Sequence, residues 1–186
     1  GDLIEQVDMP AADNMRALLK QGTEVYSMVE DAVEYIKMSE GKVELSENNY
    51  RIRVLLEEIV ENVINHYGDN NKEIEIRVER DVPEFMLGDA GRIGQILNKL
   101  LFNCISGSSG GKISIQAMSR KVSYAVMLQI SIEDSVMELT EEQVERIRQY
   151  IANGSIQEKE WEGNPEMELA IVNILIQQMK GEFELS

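Results

Sequence analysis

The most regular pattern of apolar positions lies between Gly88 and Ser106. Apolar residues recur there at spacings of three and four, which places them on one broad face of an amphipathic helix. They are Ile93, Ile96, Leu97, Leu100, Leu101, Cys104 and Ile105. Asp89 is a suitable N-cap, and glycines at 107, 110 and 111 provide the stop. The pattern predicts a helix with one buried face.

A polar stripe flanks that face and consists of Arg92, Lys99 and Asn103. Lys99 and Asn103 stand at positions i and i+4, so their side chains are close in space. Such a stripe is ordinarily the solvated border of a core helix. The residues alone therefore leave two interpretations open, a border and a binding site.

A second periodic pattern predicts a long helix over about 13–39. Its seam residues step by four and three, as in a coiled coil or helical hairpin. They are Leu18, Gly22, Val25, Val29, Ala32, Ile36 and Ser39. Such a seam needs a facing helix, and residues 1–12 are too short to supply one. Residues 2–8 are expected to be the end of a preceding helix, closed by Pro10.

The rest of the chain alternates between short strands and helices. Alternating or apolar runs predict strands at 42–45, 72–78, shortly after 81–85, 112–117, 124–132 and 181–185. Helices are predicted at 52–65 after a cap at 46–49, at 141–152 after Thr140, and at 166–179. Residues 119–123 are expected to form a hairpin turn, and 153–165 a mobile polar loop. Helices on one side of an antiparallel sheet make an α+β fold, an α/β sandwich.

Composition limits the possible partners. The 18 basic and 34 acidic residues give a net charge of −16, which argues against nucleic acid and anionic lipid. The single cysteine, Cys104, excludes an intrachain disulfide and fits a reducing compartment. No apolar run is long enough to span a membrane, and no signal peptide is evident. Gly1 in place of Met indicates a piece of a longer protein.

The stretch from Val82 to Cys104 resembles the N box of sensor histidine kinases and the approach to it. The family pattern reads roughly D-x-x-R-[LI]-x-Q-[VIL]-L-x-N-L-L-x-N-A. The residues that match it in register include Asp89, Arg92, Gln95, Leu97, Leu100, Leu101 and Asn103. The segment from Met38 to Leu45 is similar to the junction that precedes the catalytic domain in this family.

The resemblance implies a domain organisation. Residues 1–40 would be the C-terminal part of a dimerisation and phosphoacceptor hairpin, and 41–186 a GHKL-type ATP-binding catalytic domain. The phosphorylated His would then precede residue 1. The one histidine present, His66, stands in the last turn of a predicted helix, where an imidazole ordinarily contacts the helix dipole. A role for it as phosphoacceptor or metal ligand is the weaker interpretation.

The resemblance also implies a site for ATP and magnesium. Asn103 fills the position that coordinates magnesium, and Lys99 would contact a phosphate. Asp134 fills the position that accepts the adenine amino group, followed by Ser135. Gly163 lies beside the third motif of the family.

The glycine motifs, however, depart from the family. Val136 and Glu138 replace two glycines of the second motif, and the third reads Asn164, Glu166 and Glu168 at its three glycine positions. Glycines let the main chain approach a phosphate, whereas a carboxylate repels it, by about 1 kcal/mol at 4 Å in water and about 4 at an intermediate dielectric. Other departures are Lys99 for the first N-box Asn, Ser106 for a Lys, and Arg148 and Ile151 at the expected lid aromatics.

Two classes of function follow from this comparison. The favoured one is a degenerate, pseudokinase-like domain that signals through dimerisation of the 13–39 helix and through conformation. The alternative is an active catalytic domain that phosphorylates an upstream His. A structural helper with no nucleotide role stays open beside the first.

The expected partners are a second copy of the chain and a response regulator or another signalling protein. No nucleic acid and no direct membrane contact are expected. The predicted location is cytoplasmic, with membrane anchoring of the parent protein left open.

Overall fold

The computed structural model describes residues 45–67, 71–107, 109–123, 125–153 and 165–185, together with six separate positions nearer the N-terminus. These six are Asn14, Met15, Leu18, Gly22, Val29 and Val33, and all are helical and exposed. They agree with the helix predicted over 13–39. The rest of that helix, the segment 2–8, the strand predicted at 42–45 apart from Leu45, and the loop 154–164 lie outside the described residues.

Apart from those six positions, the described elements belong to one unit, formed by Glu44–Ile156 and Pro165–Ser186. Its strands are β1 (Asn48–Tyr50), β2 (Glu73–Val78), β3 (Met86–Gly88), β4 (Lys112–Val122) and β5 (Ala125–Asp134). Its helices are α1 (Ile52–Tyr67), α2 (Ala90–Gly107), α3 (Glu141–Asn153) and α4 (Pro165–Gln178). Strand β1 contradicts the helix cap predicted at 46–49, because Asn48 and Asn49 pair with β3 instead.

Helix α2 begins and ends where the sequence predicts. The Oδ1 atom of Asp89 accepts the amide of Arg92 at 2.9 Å, which is N-cap geometry. Its Oδ2 atom accepts the amide of Ser46, also at 2.9 Å, so the cap ties the helix to the segment before β1. The predicted apolar face is buried or half-buried along its whole length.

The main sheet has the strand order β2-β4-β5 and is mixed, not antiparallel as predicted. Strand β2 runs parallel to β4, with Glu73 opposite Lys112. Strands β4 and β5 are antiparallel, with Ile113 opposite Asp134. The parallel pairing is possible because α2 lies between β2 and β4 in the chain and serves as the crossover.

The hairpin between β4 and β5 is tighter than predicted. Residues 119–122 belong to β4 and pair with 125–128, so the five-residue turn predicted at 119–123 is wrong. Val122 pairs with Ala125, and Ser123 has a φ of 51°. A two-residue connection with positive φ matches the twist of paired strands. The two strands can therefore pair up to this short turn, and the hairpin is longer than its apolar pattern indicates.

The core lies between the helices and one face of the sheet. Helix α1 contributes its apolar face, and α2 packs against both α1 and α4. The buried side chains are Ile52, Leu56, Ile59, Val63, Leu97, Leu101, Ile105, Ile113, Ile115 and Ala117. The α+β fold class predicted from the sequence is confirmed.

The C-terminal part differs from its prediction in two ways. The apolar spacing in 166–179 predicts a single buried face that contains Leu169, Val172, Ile176 and Met179. Helix α4 instead buries Ile171, Asn173 and Leu175 together with Leu169 and Val172, so more than one face is covered. Residues 181–185 are not a strand, because no described strand pairs with them. None of the helices in the described part of the chain combines the length and apolar character that a bilayer span requires.

Candidate nucleotide-binding site

The site predicted from the sequence centres on Asp134, the last residue of β5. Its Oδ2 atom accepts a hydrogen bond from the Nζ atom of Lys72, the residue before β2. Its Oδ1 atom accepts the amides of Val136 at 2.9 Å and Met137 at 3.2 Å. Both carboxylate oxygens of Asp134 are therefore bonded within the protein.

Lys72 and Asp134 form a buried ion pair. Their side chains are 2% and 4% exposed. Burial of the Asp134 carboxyl group would raise its pKa, but hydrogen bonds from Lys72 and from the two amides lower it more, so the pKa lies below its usual value. The carboxylate is thus held in its charged form.

The turn after Asp134 is hydrogen-bonded to the start of β4. Ser135 donates its amide to the Lys112 carbonyl at 2.9 Å and accepts the Lys112 amide on Oγ at 2.8 Å. Val136 then lies over Gly111, where a Cβ atom would be only 2.2 Å from the Val136 Cγ2 atom. The side chain of Val136 therefore fills the space next to the Cα atom of Gly111.

Asn103 is buried, and this could not be predicted from its place in a polar stripe. Its side chain lies on α2 and is 6% exposed. The Nδ2 atom has no hydrogen-bond partner, although a buried unsatisfied donor costs roughly 1–3 kcal/mol. Rotation of the amide by half a turn would present the oxygen atom instead, a ligand that magnesium accepts. Asn103 is therefore suited to a polar ligand.

Helix α2 reaches the Asp134 turn through its C-terminal half. A Cβ atom at Gly107 would lie 3.4 Å from the Met137 sulfur. Burial, reinforced by the negative charge of Asp134, raises the pKa of Cys104 to about 11, while the charge of Lys72 acts in the opposite direction. The ion pair is thus close enough to α2 to affect a thiol on it.

Comparisons with known proteins agree with this architecture. No protein-family model matches the chain. Signal transduction histidine-protein kinase BarA of Escherichia coli K12 is 23% identical over 171 residues, which cover 91% of the chain and 19% of BarA. Sensor histidine kinase GacS of Pseudomonas protegens is 26% identical over 171 residues, with the same two coverages. The chain therefore spans about a fifth of the length of these curated relatives.

Solved histidine kinase structures are also similar to the chain. ShkA, solved at full length in complex with AMPPNP, has a TM-score of 0.68 at 22% identity. The match covers 94% of the chain and 35% of ShkA. Histidine kinase AdeS of Acinetobacter baumannii has a TM-score of 0.58 at 18% identity, and the match covers 94% of the chain and 76% of the AdeS structure. The catalytic domain of histidine kinase ThkA has a TM-score of 0.53 at 19% identity, and the match covers 74% of the chain and 82% of the ThkA domain.

The fold is that of a histidine kinase catalytic domain. The resemblance of the chain to a sensor histidine kinase core, predicted from the N box, is confirmed. Within this histidine kinase fold, the structure places Asp134 and Ser135 in one turn, and Asn103 on the helix that contacts it. Lys99 is half-buried, one helical turn before Asn103. Gly163 lies outside the described residues.

The replaced glycine positions of this histidine kinase fold have different environments. Val136 and Glu138 are exposed, whereas Glu168 is half-buried on α4. Asn164 lies outside the described residues. Among the positions expected to carry lid aromatics, Arg148 is exposed on α3. Ser106 donates its hydroxyl to the Phe102 carbonyl at 2.8 Å, an ordinary bond within a helix.

Lys72 is the residue of this histidine kinase fold that sequence reasoning missed. A lysine just before an alternating strand is ordinarily a solvated end, and no local signal distinguishes this one. His66 belongs to the last turn of α1, as predicted. Within the described ranges, no three His, Cys, Asp or Glu side chains are grouped as a metal site would need.

Proposed function

We propose that the chain is a degenerate catalytic domain of a two-component sensor histidine kinase, which signals through dimerisation and conformation rather than through phosphoryl transfer. The observation that carries this proposal is the environment of Asp134. The carboxylate is buried, ion-paired and bonded to two amides, so it has little capacity left for a ligand.

The residues present fit ATP and magnesium poorly. The similar structure of ShkA contains AMPPNP, so the fold itself is compatible with a nucleotide analogue. In this chain the side chain of Val136 lies against Gly111, at a position where the family has a glycine. Glu138 adds an exposed carboxylate two residues further on. Both features oppose the approach of a triphosphate to the main chain.

The second candidate is a working catalytic domain that transfers a phosphoryl group to an upstream His. Asn103 favours it, because its buried Nδ2 atom has no partner and rotation of the amide by half a turn would present an oxygen ligand in that position. Lys99 would then contact a phosphate and Asn103 the magnesium ion. Transfer chemistry depends mainly on positioning and charge neutralisation, which the turn at 134–138 does not support.

Dimerisation is proposed through the 13–39 helix. Its predicted seam includes Leu18 and Val29, which are 68% and 56% exposed in the single chain. Met15, three residues before Leu18, continues the same spacing and is also exposed. Apolar side chains at this spacing are stabilised when a facing helix covers them. A response regulator or another signalling protein is the further partner proposed.

A thermal-shift titration with ATP and magnesium separates the two candidates. A ligand at 100 times its Kd stabilises a protein by about 2.7 kcal/mol, or roughly 5–10 °C in Tm for a chain of this size. We expect no such rise in Tm. A rise that disappears in Asn103→Ala but persists in Asn98→Ala, on another face of α2, would show that the nucleotide site is intact and would favour the working kinase instead.

A further inference from the structure

We infer that Lys72 determines ligand specificity at this site, because its ammonium group holds Asp134 and keeps an adenine amino group from reaching that carboxylate. The inference rests on the proposed function and deepens it. It assigns the loss of purine recognition to a residue outside the family motifs.

The position of Lys72 in the sheet makes the contact possible. Strands β2 and β5 flank β4 on opposite sides, so their ends are two strand spacings apart, about 10 Å. The amide of Glu73 donates to the Gly111 carbonyl at 3.0 Å, and Ser135 bonds to Lys112, which aligns all three strand ends. The side chains of Lys72 and Asp134, extended toward each other and joined by their hydrogen bond, together span β4 from the first strand to the third.

The bonding of Asp134 leaves little room for a further donor. A carboxylate has about four acceptor positions, and Asp134 already receives Lys72 and the amides of Val136 and Met137. The adenine amino group is neutral, whereas Lys72 donates a charge-assisted hydrogen bond. A purine that displaced Lys72 would break the ion pair between two buried side chains and replace a charge-assisted hydrogen bond with a neutral one, which is unfavourable.

The test removes the ammonium group and measures recognition of the base alone. Lys72→Met keeps much of the apolar stem and frees the Oδ2 atom of Asp134. Adenosine is the probe, measured by ligand-observed NMR on the full chain, and inosine, which lacks the exocyclic amino group, is the control ligand. We expect very weak binding of both ligands by the unmodified chain. In Lys72→Met the Kd should be roughly ten- to a hundredfold lower for adenosine and unchanged for inosine.

Lys112→Met is the matched control variant. Lys112 stands opposite Glu73 at the start of the next strand, and its side chain pairs with Glu75 at 2.7 Å near solvent. Its replacement is expected to leave adenosine binding unchanged. If Lys72→Met does not fold, as judged by circular dichroism, Lys72→Ser replaces it, since a smaller polar side chain lets water hydrate Asp134.

The outcomes separate this inference from the proposed function. Folded Lys72 variants that bind adenosine no better than the unmodified chain would overturn the role of Lys72 and leave the proposed function standing. Equal gains for adenosine and inosine would overturn it too, because the amino group would then not be the recognised feature. Binding of ATP and magnesium by the unmodified chain, abolished by Asn103→Ala, would overturn both.

Discussion

Val136 fills the space that a side chain at residue 111 would need. A Cβ atom built on Gly111 would be 2.2 Å from the Val136 Cγ2 atom and 2.9 Å from the Ser135 Oγ atom. Gly111 also has a φ of 82°, a conformation that other residues adopt only with strain. The bulky residue that replaces a family glycine at 136 is therefore matched by a glycine at 111.

This fit predicts that Gly111→Ala destabilises the domain by more than about 2 kcal/mol. Positive φ alone costs roughly 1–2 kcal/mol, and the clash with Val136 adds to it. Urea unfolding measures the loss. Gly110→Ala is the control, because Gly110 has a φ of 73° but no atom within 4 Å of its added Cβ. Equal losses in the two variants would mean that the contact with Val136 has no energetic weight.

The buried ion pair predicts a large effect of Asp134→Asn on stability. The substitution removes the negative charge that pairs with the buried Lys72 ammonium group, and breaking a buried pair costs roughly 3–5 kcal/mol. Denaturant unfolding at neutral pH measures it. Glu75→Gln, which breaks the largely exposed pair with Lys112, is expected to remain close to the unmodified chain. A loss no larger in Asp134→Asn than in Glu75→Gln would contradict a structural role for the pair.

The same pair gives a pH dependence with a definite sign. The pKa of Asp134 is lowered in the folded state, so its contribution is complete above the ordinary carboxyl pKa of about 3.9. It is lost as the pH falls through the lower folded value. As the pH falls through that acidic range, the free energy of unfolding should therefore decrease less in Asp134→Asn than in the unmodified chain. Parallel curves of unfolding free energy against pH for the two proteins would contradict this.

Cys104 is predicted to be unreactive in the folded protein. Burial and the charge of Asp134 raise its pKa to about 11, so very little thiolate exists near pH 8. We expect its reaction with a disulfide reagent at that pH to be on the order of 100-fold slower than in urea, where the thiol pKa is about 8.5. Similar rates in the two conditions would show that the thiol is not buried as described.

The seam of the 13–39 helix predicts a dimer. Light scattering should give twice the mass of one chain, and Leu18→Lys combined with Val29→Lys should give the monomer, since lysines at seam positions would have to lose their hydration in the interface. Ser27→Lys, on the opposite side of the heptad pattern, should leave the dimer intact. A monomeric unmodified chain at high concentration would remove the proposal.

Local signals in the sequence predict the helices well. The spacing of apolar residues and the Asp89 cap give α2 to within one or two residues, and Thr140 caps α3 through its Oγ1 contact with the Gln143 amide at 3.3 Å. Strand pairing depends on distant residues, so the parallel β2-β4 contact, the tight turn at Ser123 and the absence of a strand at 181–185 could not be predicted. The bond from Lys72 to Asp134 joins residues 62 positions apart and has no local signal.

The turn at Asp134 is where the proposed loss of nucleotide binding can be observed most directly. Amide NMR spectra of the full chain, recorded with and without millimolar AMPPNP and magnesium, report on the Val136 and Met137 amides that bond to Asp134. We predict that neither resonance shifts. Saturable shifts of both amides that are lost in Asn103→Ala would show that a nucleotide occupies the site and would contradict a degenerate catalytic domain.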